Sequence, residues 1–142
     1  MTVQDLFAAA HLTHEGPVKW GEALEERRPG VYVIALTSNP TDAAPDIELA
    51  CVPEAERRHW LVQQPVIYIG RATRSLRNRL TQFHRHKYGK KAPHRGGQAV
   101  IPLNCDRWVY WAVTTDPIAA EAAMIEGFKK EAGALPYANR RR

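Results

Sequence analysis

Gly30-Val31-Tyr32-Val33-Ile34-Ala35-Leu36 and Val66-Ile67-Tyr68-Ile69-Gly70 are the two stretches that decide the fold. Both are short runs of β-branched and aromatic residues. Pro29-Gly30 opens the first and Pro65 leads into the second, so their length and composition predict buried strands. A third run, Arg107 to Val113, alternates Trp108, Tyr110 and Ala112 with Val109, Trp111 and Val113. That pattern suits a strand with both faces occupied. Helical patterns separate the runs. Leu76, Leu80 and Phe83 make one apolar face at i, i+4 and i+7, behind a Thr73 or Ser75 cap. Asp116-Pro117 starts a second helix that runs to about Lys130 and stops near Gly133, with Pro136 beyond. The order β, β, α, β, α predicts one α+β domain over residues 1–142, a small three-stranded, mainly antiparallel sheet flanked by helices.

Two segments lie outside this frame. Residues 1–28 read as a helical preface, with Thr2 and Asp5 resembling a capping box before Leu6 to His11. Residues 37–64 read as an insertion between the first two strands. Thr37 to Pro53 holds three prolines, and Pro53 to Gln63 suits a short helix. A surface excursion of this kind is expected to be dispensable for folding the sheet and to act on substrate choice.

Composition narrows the function classes. A chain of 142 residues with 44% hydrophobic and 25% charged residues is ordinary for one globular domain. The apolar runs are strand-length, far below the roughly 20 residues that span a bilayer. The start, MTVQDLFAAAHLTHEG, has no basic leader and carries Asp5 early, so secretion is not expected. Cys51 and Cys105 are the only cysteines. Two do not make a disulfide framework, and a reducing, cytoplasmic setting is the default expectation.

Charge is segregated along the chain. Arg57 to Cys105 contains eleven Lys and Arg residues, four of the six histidines and no Asp or Glu. The rest of the chain has nine basic and fifteen acidic residues. The balance is +11 in the middle against −6 elsewhere, under a net charge of +5. Such separation within one domain is the footprint of a face that binds a polyanion, and nucleic acid is the expected partner. Arg77 and Arg85 on the second-strand-following helix, and Lys87, Lys90, Lys91 and Arg95 in the loop from His86 to Gln98, are candidate phosphate contacts.

Gly30-Val31-Tyr32 and Tyr68-Ile69-Gly70 resemble the two strand motifs that name the GIY-YIG endonucleases. Leu76-Arg77-Asn78-Arg79-Leu80 is similar to that family's arginine helix. Glu121-Ala122-Ala123-Met124-Ile125-Glu126, followed by Pro136-Tyr137-Ala138-Asn139, is similar to its glutamate helix and closing Pro-x-x-Asn. The resemblance runs from Pro29 to Asn139. It implies a GIY-YIG-like fold and metal-dependent cleavage of DNA phosphodiesters, with one divalent ion, Mg²⁺ or Mn²⁺, on the helix glutamate. By this resemblance the glutamate is Glu126, the catalytic tyrosines are Tyr32 and Tyr68, and Arg79 neutralises the phosphate. Asn139 orders the site, and Arg71 follows the second motif as a basic residue against the nucleic acid.

The residue types fit that chemistry. Phosphodiester cleavage needs an attacking water, stabilised phosphoryl oxygens and relief for the leaving alkoxide. A guanidinium meets phosphate with a planar fork. A phenol, with a free pKa of about 10, needs cationic neighbours to serve as a base. Three alternatives stay open in the residues. Arg77 rivals Arg79 for the arginine role. His84, beside Phe83, is a candidate base or phosphate ligand. Glu121 lies inside the apolar arc of Ile118, Ala122, Ile125 and Phe128, whereas Glu126 lies at its edge, so periodicity marks Glu121 as the odder carboxylate while the family register favours Glu126. His84, His86, His94 and Cys105 match no closed zinc spacing. The functional alternative is a nucleic-acid-binding module that keeps the fold without cleavage.

Overall fold

Every residue of Gly30–Ala35 is buried, and a strand covered on both faces needs partners on both edges and layers above and below. The computed structural model describes residues 1–44, 51–61, 63–88 and 97–140 and supplies all four. Its elements are α1 (Val3–Ala8), β1 (Glu15–Lys19), β2 (Gly30–Ala35), β3 (Val66–Ala72), α2 (Leu76–Arg85), β4 (Trp108–Val113) and α3 (Pro117–Ala132). Two 3-10 turns, Glu54–His59 and Gln98–Val100, complete them. The architecture is α+β, around a four-stranded antiparallel sheet in the order β1-β4-β2-β3.

Four strands rather than three is a correction to the sequence reading. The additional strand is β1, inside the segment taken as a helical preface, and it pairs Val18 with Val109 and Lys19 with Trp108. Its sequence, Glu-Gly-Pro-Val-Lys, carries the two residues most depleted from strands. An edge position tolerates Pro because one side of the strand needs no ladder donor. Only α1 of the expected preface is helical, capped by the Thr2 hydroxyl accepting from the Asp5 N–H at 3.0 Å.

Alternation along the strands splits the core. Val31, Val33, Ile69, Tyr110 and Ala112 face α1 and α3, meeting Leu6, Phe7, Met124 and Phe128. Tyr32, Ile34, Tyr68 and Val109 face the other way, onto Leu76, Leu80 and Phe83 of α2. The helix ends follow their local chemistry. The Ser75 Oγ accepts from Asn78 N–H at 3.2 Å, Asp116 Oδ1 accepts from Ala119 N–H at 3.2 Å, and Gly133 closes α3 at φ 78°.

The insertion at residues 37–64 also differs from the expected surface excursion. Val52 is fully buried in the α2-side core, Trp60 meets the Tyr137 ring edge-on at 5.2 Å, and Leu61 packs on the opposite cluster. The segment therefore closes both core layers at the β3 edge. The helix expected over residues 53–63 is the short 3-10 turn Glu54–His59. No helix among the described residues is long and apolar enough to cross a membrane.

Candidate functional site

Two glycines show why the strand motifs carry glycine. On β3, Gly70 lies directly opposite Tyr32 of β2. A Cβ at Gly70 would sit 2.4 Å from Tyr32 Cζ and 2.6 Å from its Oη. The missing side chain is thus the space the phenol occupies. At Gly30, a Cβ would meet the Ala112 carbonyl oxygen at 2.2 Å and Leu76 Cδ1 at 2.8 Å, so Gly30 lets β4 and α2 close on β2. Both glycines are demanded by close approach, not by backbone conformation.

Tyr32 and Tyr68 stand on the same face of neighbouring strands, with ring centroids 6.1 Å apart. Together with Arg71, Arg79 and Glu121 they line a cleft of about 600 Å³. Four elements deliver these five residues. β2 and β3 bring the tyrosines and Arg71, α2 brings Arg79, and α3 brings Glu121. The α2 wall presents Ser75, Asn78, Arg79 and Gln82, which share one helix face at three- and four-residue spacing. Arg79 Nη1 donates to Gln82 Oε1 at 3.3 Å.

Glu121 is 5% exposed, and its Oε1 accepts from Arg71 Nη1 at 2.7 Å. This pairing answers the burial of a carboxylate on an otherwise apolar helix arc, since a buried charge needs a hydrogen-bonded partner. Glu126 is exposed and does not line the cleft. The α3 carboxylate that the fold brings to the tyrosines is therefore Glu121, and the register favoured from the sequence does not match this placement.

Burial, then the charge of Glu121, pushes Tyr68 up to about 12, while Arg79, the hydrogen bond with Tyr32 and Arg71 all pull it down. Burial pushes Tyr32 well up too, with Tyr68 next.

Asn139 acts from outside the cleft. Its Oδ1 accepts from the Ile69 N–H at 3.0 Å and its Nδ2 donates to the Ile69 carbonyl at 2.9 Å. The amide thereby stands in for a neighbouring strand on the β3 edge, between Tyr68 and Gly70. The Ala138 N–H extends this by donating to the Ile67 carbonyl at 2.8 Å.

The other expected residues do not converge here. Arg77 is off the cleft face of α2, which decides between it and Arg79 by position. His84 points to the far side: its Nε2 accepts from the Gly21 N–H at 3.4 Å and its ring meets Trp20 edge-on at 4.6 Å. Burial, then Arg107, holds its pKa below the usual histidine value. Arg85 and Lys87 are exposed and outside the cleft lining. Lys90, Lys91 and Arg95 lie outside the described residues. Arg74, in the bend between β3 and α2, also lines the cleft; its signal in the sequence is its place in the acid-free basic stretch.

Compared with protein-family models, curated proteins and solved structures, the chain gives no match.

Proposed function

We propose that this protein is a divalent-metal-dependent endonuclease that hydrolyses DNA phosphodiesters, on a GIY-YIG-like fold. One observation carries the reading. Tyr32, Tyr68, Arg71, Arg79 and the buried Glu121, from four separate elements, line a single cleft, with Arg74 at its wall as a third arginine. All but Arg74, with Glu121 in place of Glu126, are those that the motif resemblance implies.

Each side chain has a task in that reaction. Arg71 and Arg79 hold the phosphate oxygens and take up charge as it builds on them. Tyr68 accepts the proton of the attacking water, with Arg79, Arg71 and the Tyr32 hydroxyl favouring its ionised form. With a pKa of about 12, about one molecule in 10⁴ holds the phenolate at pH 8. A divalent cation held at Glu121 would lower that cost, because a nearby positive charge favours the phenolate. Asn139 keeps β3 straight under Tyr68.

Glu121 suits a Mg²⁺ or Mn²⁺ ion. Mg²⁺ keeps several waters and takes one or two carboxylates plus substrate phosphate oxygens, so a single carboxylate in a cleft of about 600 Å³ is an adequate protein donor. The ion supplies Lewis acidity at the phosphoryl oxygens when bound. Arg71, released from Glu121, is then free to pair with phosphate.

A DNA partner, rather than a small anion, is supported by the acid-free stretch from Arg57 to Cys105. A cytoplasmic location belongs to the same proposal, two cysteines being too few for a disulfide framework. The test is relaxation of supercoiled plasmid with Mg²⁺ or Mn²⁺, with a chelator as control. Binding without nicking under every metal condition would favour the non-catalytic nucleic-acid-binding module instead.

A further inference from the structure

Cys51 and Cys105 are 54 positions apart and are the only cysteines of the chain, yet the fold sets them side by side. The Cys51 carbonyl accepts from the Asn104 N–H at 2.9 Å. That backbone bond joins the insertion to the loop that leads into β4. Both thiols are half-buried and pack against the same core cluster, and their side chains hydrogen-bond to each other. A disulfide requires Cβ atoms about 3.5–4.5 Å apart, so thiols already in hydrogen-bond contact need only a side-chain adjustment to meet it. Partial exposure leaves a route for a small reagent.

We propose that Cys51 and Cys105 are a reversible oxidation site, closing an intramolecular disulfide by exchange with a small-molecule disulfide of the glutathione class. Burial, then the hydrogen bond from Cys51, pushes the Cys105 thiol up to about 12, against a smaller pull down from Arg107. Arg107 is itself pinned on the same loop, donating to the carbonyls of Val100 at 2.7 Å and Ile101 at 3.1 Å. Either thiol can enter first, the other then resolving it. With Cys51 entering, its thiolate attacks one sulfur of glutathione disulfide; that S–S bond breaks and one glutathione thiolate leaves and takes a proton. Cys105 then gives its proton to solvent and attacks Cys51 Sγ, expelling the second glutathione. Two protein thiols are oxidised by two electrons, and one disulfide is reduced to two thiols.

The bridge would fasten residues 37–64 to the β4 loop covalently. This site stands independently of the nuclease reading, because it uses no cleft residue.

The experiment equilibrates the reduced full chain in glutathione buffers of graded oxidised-to-reduced ratio, then counts free thiols after unfolding and maps the peptides. The proposal expects both thiols to vanish together, a mass loss of two hydrogens and a peptide joining residues 51 and 105, all reversed by dithiothreitol. Closing so long a loop should also raise the melting temperature by roughly 5–10 °C. Cys105→Ser and Cys51→Ser should each stop at one glutathione on the remaining thiol. Glutathione adducts that never resolve in the wild-type chain, bridges only between molecules, or thiols that persist at every ratio would overturn it. The wild-type result stands even if a serine variant fails to fold.

Discussion

Arg71 Nη1 donates to Glu121 Oε1 at 2.7 Å, tying β3 to α3 across 50 positions of sequence. The carboxylate is 7% exposed at its side chain and the guanidinium 37%. Removing the guanidinium leaves a buried carboxylate without its charged partner, and the half-open arginine side moderates the cost. Arg71→Ala should therefore lower stability by about 1–3 kcal/mol. Denaturant unfolding checks this, and a loss below a few tenths would mean that solvent already compensates Glu121.

Gly70 should tolerate no side chain while Tyr32 is in place. An added Cβ meets the phenol at 2.4–2.8 Å, which overpacking data put at about 1–3 kcal/mol. The expected outcome is a destabilised Gly70→Ala protein whose penalty shrinks when Tyr32→Leu is added. Equal penalties in the two backgrounds would show that Tyr32 is not what fills the space.

Much of the sheet was legible because its strands are short and strongly apolar. β2 and β3 announce themselves by Val, Ile and Tyr between Pro-Gly and Gly signals, and α2 by Leu76, Leu80 and Phe83, all buried in the structure. β1 was not legible, because Gly16 and Pro17 contradict strand propensity, and pairing with β4 together with Val18 against the core holds it. Val52 and Trp60 were hidden for a related reason: a Pro-rich context reads as loop, whereas burial depends on contacts with Leu103 and Tyr137 far along the chain. The choice between Glu121 and Glu126 was half visible. Periodicity placed Glu121 on an arc of which Ile125 and Phe128 are buried while Ile118 and Ala122 are exposed, and its partner Arg71 lies on another element and leaves no local trace.

Excising residues 37–64 in favour of a short turn should weaken the domain severely, contrary to the expectation that the segment is dispensable. Val52 is 1% exposed and sits in the same cluster as Leu103 and Tyr137. Val52→Ala alone should cost about 2 kcal/mol. Circular dichroism melting of both variants checks this; a native melting temperature after excision would return the segment to the surface.

Alkaline pH should unfold the protein before it would an average domain. Burial raises the phenols of Tyr32, Tyr68, Tyr110 and Tyr137 above their usual value, Tyr68 and Tyr110 to about 12. Between pH 10 and 12 the unfolded chain releases protons that the folded chain retains. The unfolded state then binds fewer protons, so stability falls as pH rises. With four such groups the limiting slope is about 5 kcal/mol per pH unit. Denaturant titrations from pH 8 to 12 should be flat at first and then fall steeply, and Tyr110→Phe should reduce the slope. A flat profile through pH 12 would contradict the burial of these phenols.

The most direct measurement is single-turnover nicking of supercoiled DNA in Mg²⁺ or Mn²⁺ by Glu121→Gln and Glu126→Gln, each checked for native folding. Glutamine keeps the shape of the side chain and removes the charge that the ion requires. The cleft geometry predicts that Glu121→Gln loses at least about 10²-fold in rate, the scale on which positioned electrostatic groups act, and that Glu126→Gln cleaves as the parent does. Full activity in Glu121→Gln with loss in Glu126→Gln, or no metal-dependent nicking by the parent, would contradict the account.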